Sequence, residues 1–96
     1  MSIVVHTKSN CMYCTKAKTF FRDNDLKYDE VYYDPNDITY DERKNALVEK
    51  THHYTFPQIF IGERFVGGYK ELMFAHSTLQ LHDWCRKIGQ ELEVDY

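Results

Sequence analysis

Features typical of membrane, secreted and nucleic-acid-binding proteins are missing from this 96-residue chain. No apolar run approaches the ~20 residues that a membrane-spanning helix needs, so we expect no membrane partner. The first residues lack the basic and apolar regions of a secretory signal peptide, which predicts a cytoplasmic protein. No run of five or more lysines and arginines occurs, and the net charge is −3. We therefore do not expect nucleic acid as a partner.

Internal repeats, low-complexity segments and linker-like stretches are also absent from the sequence, so residues 1–96 are interpreted as one domain. A chain of this length should bury roughly 60–70% of its unfolded surface. Apolar residues make up 43% of the chain and include eight tyrosines and six phenylalanines. This composition is sufficient to fill one hydrophobic core, and we expect a monomer.

The chain has few cysteines, but two of the three, Cys11 and Cys14, have C-x-x-C spacing. The apolar residues 3–5 predict a buried strand before them, and a helical apolar stripe over residues 15–25 predicts a helix after them. Cys11 is therefore expected at a helix N-terminus, where unpaired N–H groups and the helix dipole favour a thiolate, the reactive form of cysteine. We expect the pKa of Cys11 to lie below the ~8.5 of a free thiol, and Cys14 can close a disulfide with it.

Alternative interpretations of the cysteines and histidines are structural. A structural disulfide is rare in the cytosol, and a zinc site needs two further ligands, so redox chemistry is favoured. Cys85 is interpreted as a buried core residue and His6 as part of the sheet. Residues 52–53, both histidine, are predicted in an exposed loop, and His76 and His82 on helix surfaces.

Periodicity and turn signals predict an α/β fold. The predicted elements are strand 3–6, helix 13–24, strand 28–33, helix 40–50, strands 58–61 and 64–66, and helices 70–76 and 79–89, the last with an apolar stripe that reaches Leu92. The first two strands should pair in parallel through a helix, and the last two should form an antiparallel hairpin. The expected result is a four-stranded mixed sheet flanked by helices on both faces. Capping boxes are predicted for Thr39 with Glu42 and for Ser77 with Gln80.

Three segments resemble the motifs of the glutaredoxin family, small proteins with a thioredoxin-like fold. Residues 8–14 read K-S-N-C-M-Y-C and resemble the family's K-S-x-C-P-Y-C. Residues 55–61 read T-F-P-Q-I-F-I and resemble T-V-P-x-x-F-I, and residues 67–72 read G-G-Y-K-E-L and resemble G-G-x-D-D-L. The motifs occur in the expected order at matching separations, and the resemblance covers nearly the whole chain.

The resemblance implies a glutathione-dependent thiol–disulfide oxidoreductase. Cys11 would be the nucleophile and Cys14 the resolving thiol, and the partners would be glutathione and proteins that carry disulfides or bound glutathione. Glutathione would be the reducing co-substrate, and neither a bound cofactor nor a metal is expected. Ribonucleotide reductase is a common client of the family, and no residue of this chain selects it.

The resemblance also implies a set of glutathione-binding residues. They are Lys8, Tyr13, Thr55, Phe56, Pro57, Gly68, Tyr69, Lys70 and Glu71. Lys8 would hold a carboxylate of glutathione, and the Phe56 backbone, next to a cis bond before Pro57, would pair with the cysteinyl unit. Residues 68–71, at a helix start, would hold the γ-glutamyl end.

Two departures from the family pattern leave alternatives open. Met12 stands where proline is usual, which adds an N–H near the sulfur and loosens the turn, so the redox potential is not fixed by the resemblance. Some relatives without this proline bind an iron–sulfur cluster between two subunits, and a cluster-binding protein is one alternative. Lys70 stands where an acidic or hydroxyl residue is common, and its charge suits a carboxylate but not an amine. The other alternative is a redoxin driven by thioredoxin reductase, against which the retention of Lys8, Tyr13 and residues 67–68 argues.

Overall fold

The computed structural model describes residues 1–94 and shows the predicted order of strands and helices. The elements are β1 (Ile3–Lys8), α1 (Met12–Asp23), β2 (Tyr28–Tyr33), α2 (Tyr40–Thr51), β3 (Gln58–Ile61), β4 (Arg64–Gly67), α3 (Tyr69–Ser77) and α4 (Gln80–Lys87). Each boundary lies within two residues of its prediction. The last two residues of the predicted domain, 95–96, lie outside the described residues.

The strands form one mixed sheet in the order β2-β1-β3-β4. β1 pairs with β2 in parallel and with β3 in antiparallel, and β3 pairs with β4 in antiparallel. Along β1, Ile3, Val5 and Thr7 are buried on one face, while the residues between them point to the other. The predicted four-stranded mixed sheet is confirmed.

Helices cover both faces of this sheet, as predicted. The larger core lies between the sheet and α1, α3 and α4, and contains Ile3, Val5, Ala17, Phe21, Leu26, Ile59, Ile61, Leu72, Ala75, Leu81, Cys85 and Leu92. The smaller core lies on the α2 face and contains Cys14, Tyr33, Leu47, Phe56 and Phe60. Cys14 and Phe56 thus belong to the packed interior, which ties the C-x-x-C segment and the loop before β3 to the sheet.

The C-terminal part of the fold differs from the prediction. α4 ends at Lys87, so Leu92 lies beyond the helix, although it is only 5% exposed. The segment after α4 is held against the loop before β2 by Gln90. The Gln90 side chain accepts from the Lys27 N–H at 2.7 Å and donates to the Lys27 C=O at 2.9 Å. The prediction that His82 lies on the helix surface is wrong, because its ring is buried and stacks on His76 with centroids 5.5 Å apart.

Both predicted capping boxes are wrong. Thr39 precedes α2, but its hydroxyl donates to Asp37 Oδ1 at 2.8 Å and caps nothing. Ser77 lies inside α3, where its hydroxyl donates to Phe74 C=O at 2.8 Å. In each case the hydroxyl donates to an oxygen of its own segment, and within residues 1–94 no side chain caps the N-terminus of α2 or α4.

None of the helices within residues 1–94 is long and apolar enough to cross a membrane.

Candidate active site

The C-x-x-C segment lies at the N-terminal end of α1. Cys11 is the N-cap residue, with extended backbone, and is joined to Cys14 by a disulfide. The Cys14 N–H donates to Cys11 Sγ at 3.2 Å. Cys14 is only 2% exposed, whereas Cys11 is half-buried. Cys11 is therefore the sulfur that a second molecule reaches more easily, and an N–H donor at the helix start faces it.

A cavity of about 600 Å³ adjoins this segment at Tyr13. Its walls bring together residues that are far apart in sequence: Tyr13, His53, Thr55, Phe56, Pro57, Gly68, Tyr69, Lys70, Glu71 and Met73. Every residue expected to bind glutathione lines it except Lys8. Residues of all three motifs therefore line one concave surface, which meets the C-x-x-C segment at Tyr13, whereas neither Cys11 nor Cys14 is part of the lining.

Lys8 lies at the end of β1, outside the cavity lining. Its Nζ is 5.9 Å from the centroid of the Phe56 ring. Phe56 itself is buried and packs against Tyr33 with ring centroids 5.3 Å apart. Lys8 thus places a positive charge over the ring of Phe56, which lines the cavity.

The loop before β3 forms one side of the cavity. The Phe56–Pro57 peptide bond is cis, as the resemblance implied. Both residues are buried, while Thr55 is exposed toward the cavity.

The start of α3 forms the opposite side. Gly68 is its N-cap residue, and the Gly68 N–H donates to Glu71 Oε1 at 2.7 Å. The N-terminal N–H groups of a helix favour an anion, so this end of the cavity suits a carboxylate. Glu71, which was expected to accept from a glutathione amine, already accepts from the helix start. Lys70 is exposed on the same wall.

Lys16 is a site residue that the sequence did not identify. Its Nζ lies 5.2 Å from the Tyr13 ring centroid and 5.9 Å from that of Tyr69, and the two rings are 5.8 Å apart. The i, i+3 spacing of Tyr13 and Lys16 could have indicated the first contact, but not the contact with Tyr69 on α3. The three side chains join the two tyrosines into one wall.

His53 is a second site residue that the sequence did not identify. Its neighbour His52 is exposed, as predicted for both histidines, but His53 is half-buried and lines the cavity. Its Nε2 lies 3.1 Å from Thr55 Oγ1. Two adjacent histidines in a loop carry no periodic signal that separates an inward side chain from an outward one.

Two titratable groups outside the cavity lining, His6 and Cys85, have pKa values that favour their neutral forms. Burial, followed by the charges of Lys50 and Arg43, lowers the pKa of His6, and His6 Nδ1 lies 2.9 Å from the Tyr33 hydroxyl. Burial raises the pKa of Cys85 to about 11, so this third thiol stays protonated in the core at neutral pH. Its predicted burial is confirmed, and among residues 1–94 it is the one free cysteine.

Within the described part of the chain, no cluster of three or more histidine, cysteine, aspartate or glutamate side chains is arranged to hold a metal ion.

Comparison with known proteins identifies the family. The Glutaredoxin family model matches residues 3–66. The chain is 36% identical over 80 residues to "Glutaredoxin-2, mitochondrial" of Pongo abelii, a match that covers 83% of this chain and 45% of the relative. It is 35% identical over 80 residues to "Glutaredoxin" of Ricinus communis, with 83% and 78% covered. It thus spans about half the length of the mammalian relative.

Structural comparison agrees with the sequence comparison. The crystal structure of the buckwheat glutaredoxin–glutathione complex superposes with a TM-score of 0.85 and 27% identity, covering 94% of this chain and 81% of that one. The expected thioredoxin-like fold is confirmed. The chain, with its C-x-x-C disulfide at the start of α1, belongs to the glutaredoxin family.

Proposed function

We propose that the protein is a glutathione-dependent thiol–disulfide oxidoreductase in which Cys11 is the nucleophile and Cys14 the resolving thiol. The observation that carries the proposal is the position of the Cys11–Cys14 disulfide beside a cavity lined by the motif residues. The similarity to a glutaredoxin whose structure was determined with glutathione supports the same ligand class.

The cycle uses two thiols and no other reactive group of the chain. In the reduced protein, the Cys11 thiolate attacks one sulfur of a substrate disulfide, and the other sulfur leaves as a thiolate. Cys14 then attacks Cys11 Sγ and releases the second substrate sulfur, which gives the disulfide seen in the structure. Two electrons and two protons have passed to the substrate.

Glutathione restores the dithiol in two exchanges. A first glutathione thiolate attacks Cys11 Sγ, which forms a mixed disulfide and frees Cys14. A second glutathione attacks the glutathione sulfur of that mixed disulfide, releasing oxidised glutathione and the Cys11 thiolate. Attack at Cys11 rather than Cys14 follows from exposure, since Cys14 is nearly inaccessible.

The cavity offers complementary groups for the two carboxylates of glutathione. We place the γ-glutamyl carboxylate at the start of α3, near Lys70, where helix N–H groups favour an anion. We place the glycyl end toward Lys8, whose Nζ lies 5.9 Å from the Phe56 ring centroid.

The substrates are proteins with disulfides or bound glutathione. We propose that the protein acts as a monomer in the cytoplasm, because one chain carries both cysteines and the cycle needs a glutathione-rich, reducing compartment.

Single-cysteine variants test the assignment of roles. Cys11→Ser should lower all activity to the uncatalysed background. Cys14→Ser should keep the removal of glutathione from a glutathionylated peptide, because free glutathione resolves that intermediate, but should lose most reduction of a protein disulfide. The matched control is Cys85→Ala, whose thiol lies in the opposite core and should leave both activities within about twofold. An active Cys11→Ser with an inactive Cys14→Ser would reverse the assignment.

A further inference from the structure

His53 lies in the cavity wall between the loop before β3 and the start of α3. Its Nε2 is 3.1 Å from Thr55 Oγ1 and 3.3 Å from the position that a Cβ on Gly68 would take. The ring is therefore close to both the loop before β3 and the start of α3. This is the end of the cavity to which we assigned the γ-glutamyl group.

The backbone of His53 is held by a buried polar network. Its N–H donates to Thr51 Oγ1 at 3.2 Å, and its C=O accepts from Gln58 Nε2 at 2.6 Å. Gln58 is fully buried, and its Oε1 accepts from the Thr51 hydroxyl at 2.7 Å. The His53 ring packs edge-on against Phe65 with centroids 5.7 Å apart. These contacts fix the direction of the imidazole, whereas the neighbouring His52 is exposed.

The His53–Thr55 contact decides where the Thr55 hydroxyl proton points. A hydroxyl has one proton and two acceptor lone pairs, and a neutral imidazole has one N–H and one acceptor nitrogen. If Nε2 carries the proton, it donates to Thr55 Oγ1, and the Thr55 O–H is free to donate into the cavity. If Nε2 lacks the proton, Thr55 donates to His53 and the cavity loses that donor.

We propose that His53 is a positioning residue for glutathione, which donates its Nε2–H to Thr55 and so turns the Thr55 hydroxyl toward the γ-glutamyl end of the ligand. The inference rests on the proposed function, because it assigns a residue to that glutathione site. A carboxylate at the start of α3 accepts hydrogen bonds only, and its presence selects the tautomer in which Thr55 can donate. His53 acts through Thr55 and touches no reacting sulfur.

Two substitutions of His53 test whether the site needs an N–H at the position of Nε2 or only an N–H anywhere on this side chain. A glutamine amide nitrogen reaches about as far from the backbone as Nε2, whereas an asparagine amide reaches only as far as Nδ1. His53→Asn should raise the KM for glutathione about three- to tenfold, the range expected for one neutral hydrogen bond, with kcat at saturating glutathione nearly unchanged. His53→Gln should restore most of the loss. His52→Asn, the matched control at the exposed neighbour, should leave KM unchanged.

A double-mutant cycle with Thr55→Val tests whether His53 acts through Thr55. Thr55→Val should raise KM by itself, and adding His53→Asn to it should raise KM by less than about twofold more. Equal effects of His53→Asn in both backgrounds, or a His53→Gln as impaired as His53→Asn, would overturn the positioning role. So would an unchanged KM in His53→Asn. If glutathione does not drive turnover by the unsubstituted protein, the proposed function and this inference are both refuted. If glutathione drives normal turnover and the KM of His53→Asn is unchanged, only this inference is refuted.

Discussion

Gly67 connects β4 to the cap of α3, and replacing it with alanine should damage both the fold and the glutathione site. Its φ is +119°, a conformation that L side chains rarely adopt, and a Cβ there would lie 2.7 Å from Glu71 Cγ and 2.9 Å from Glu71 Oε1. The same carboxylate accepts from the Gly68 N–H at 2.7 Å. An alanine methyl therefore has to displace Glu71 from the bond that caps the helix.

The expected loss of stability has two parts. Holding an L residue at positive φ costs roughly 1–2 kcal/mol, and the loss of a helix cap costs about 0.5–2 kcal/mol. Gly67→Ala should thus lower the free energy of unfolding by roughly 1.5–4 kcal/mol. Gly89→Ala is the matched control, because Gly89 has φ +82° and a Cβ there meets nothing within 4 Å. It should lose only the backbone part, and both variants share the same change in unfolded-chain entropy.

Urea unfolding of the two variants and the KM for glutathione test this reasoning. Gly67→Ala should lose roughly 0.5–2 kcal/mol more than Gly89→Ala. It should also raise the KM, because the start of α3 lines the cavity. In a Glu71→Ala background the cap is already absent, so the excess cost of Gly67→Ala over Gly89→Ala should shrink there. It should not vanish, because the Cβ of residue 71, which lies 2.9 Å from the added Cβ, is kept. Equal losses for the two glycine variants in the unsubstituted background would refute the assigned clash.

Three further outcomes follow from the site and the core. Iodoacetamide at pH 8 should label the reduced native protein at Cys11 and spare Cys85, whose pKa is raised to about 11 by burial, and both should be labelled in urea. Burial, and next the neighbouring His82, lowers the pKa of His76, so the folded state disfavours its protonated form. The stability that His76 contributes is therefore fully present above about pH 6.5 and is lost as the pH falls through the lowered pKa. The Tm should decrease from pH 7 to pH 5, and this decrease should be smaller in His76→Gln. Lys70→Ala should raise the KM for glutathione about two- to fivefold with little change in kcat, because the lost charge is exposed, and a kcat effect larger than the KM effect would contradict its assignment to binding.

The sheet, its helices and the cavity could be predicted because they depend on signals carried over many residues. Strand and helix periods determine which side chains face the core, and the crossover rule determines that β1 and β2 are parallel. Three separated motifs were expected at one site, and the fold brings them to one cavity. Lys8 is the exception: at the end of β1, its ammonium lies over the Phe56 ring and not in the lining.

The wrong predictions concern residues whose burial or hydrogen bonding depends on tertiary packing or on a nearby side chain. Thr39 fits a capping pattern, but its N–H and its hydroxyl both donate to Asp37 Oδ1, and its side chain accepts no bond from the helix. His82 and His53 are polar residues that sequence places on the surface, and both become buried or half-buried only because another element packs against them. Leu92 fits the period of α4, yet the helix ends at Lys87 and Leu92 joins the larger core from the segment that follows the helix.

The choice of reductant decides between a glutathione-dependent oxidoreductase and a redoxin driven by thioredoxin reductase. Turnover of a glutathione mixed disulfide should be measured with glutathione and glutathione reductase, and separately with thioredoxin reductase, using the unsubstituted protein and Cys11→Ser as the blank. We expect fast, Cys11-dependent turnover that saturates with glutathione, and little turnover with thioredoxin reductase. Fast turnover with thioredoxin reductase and none with glutathione would contradict this expectation.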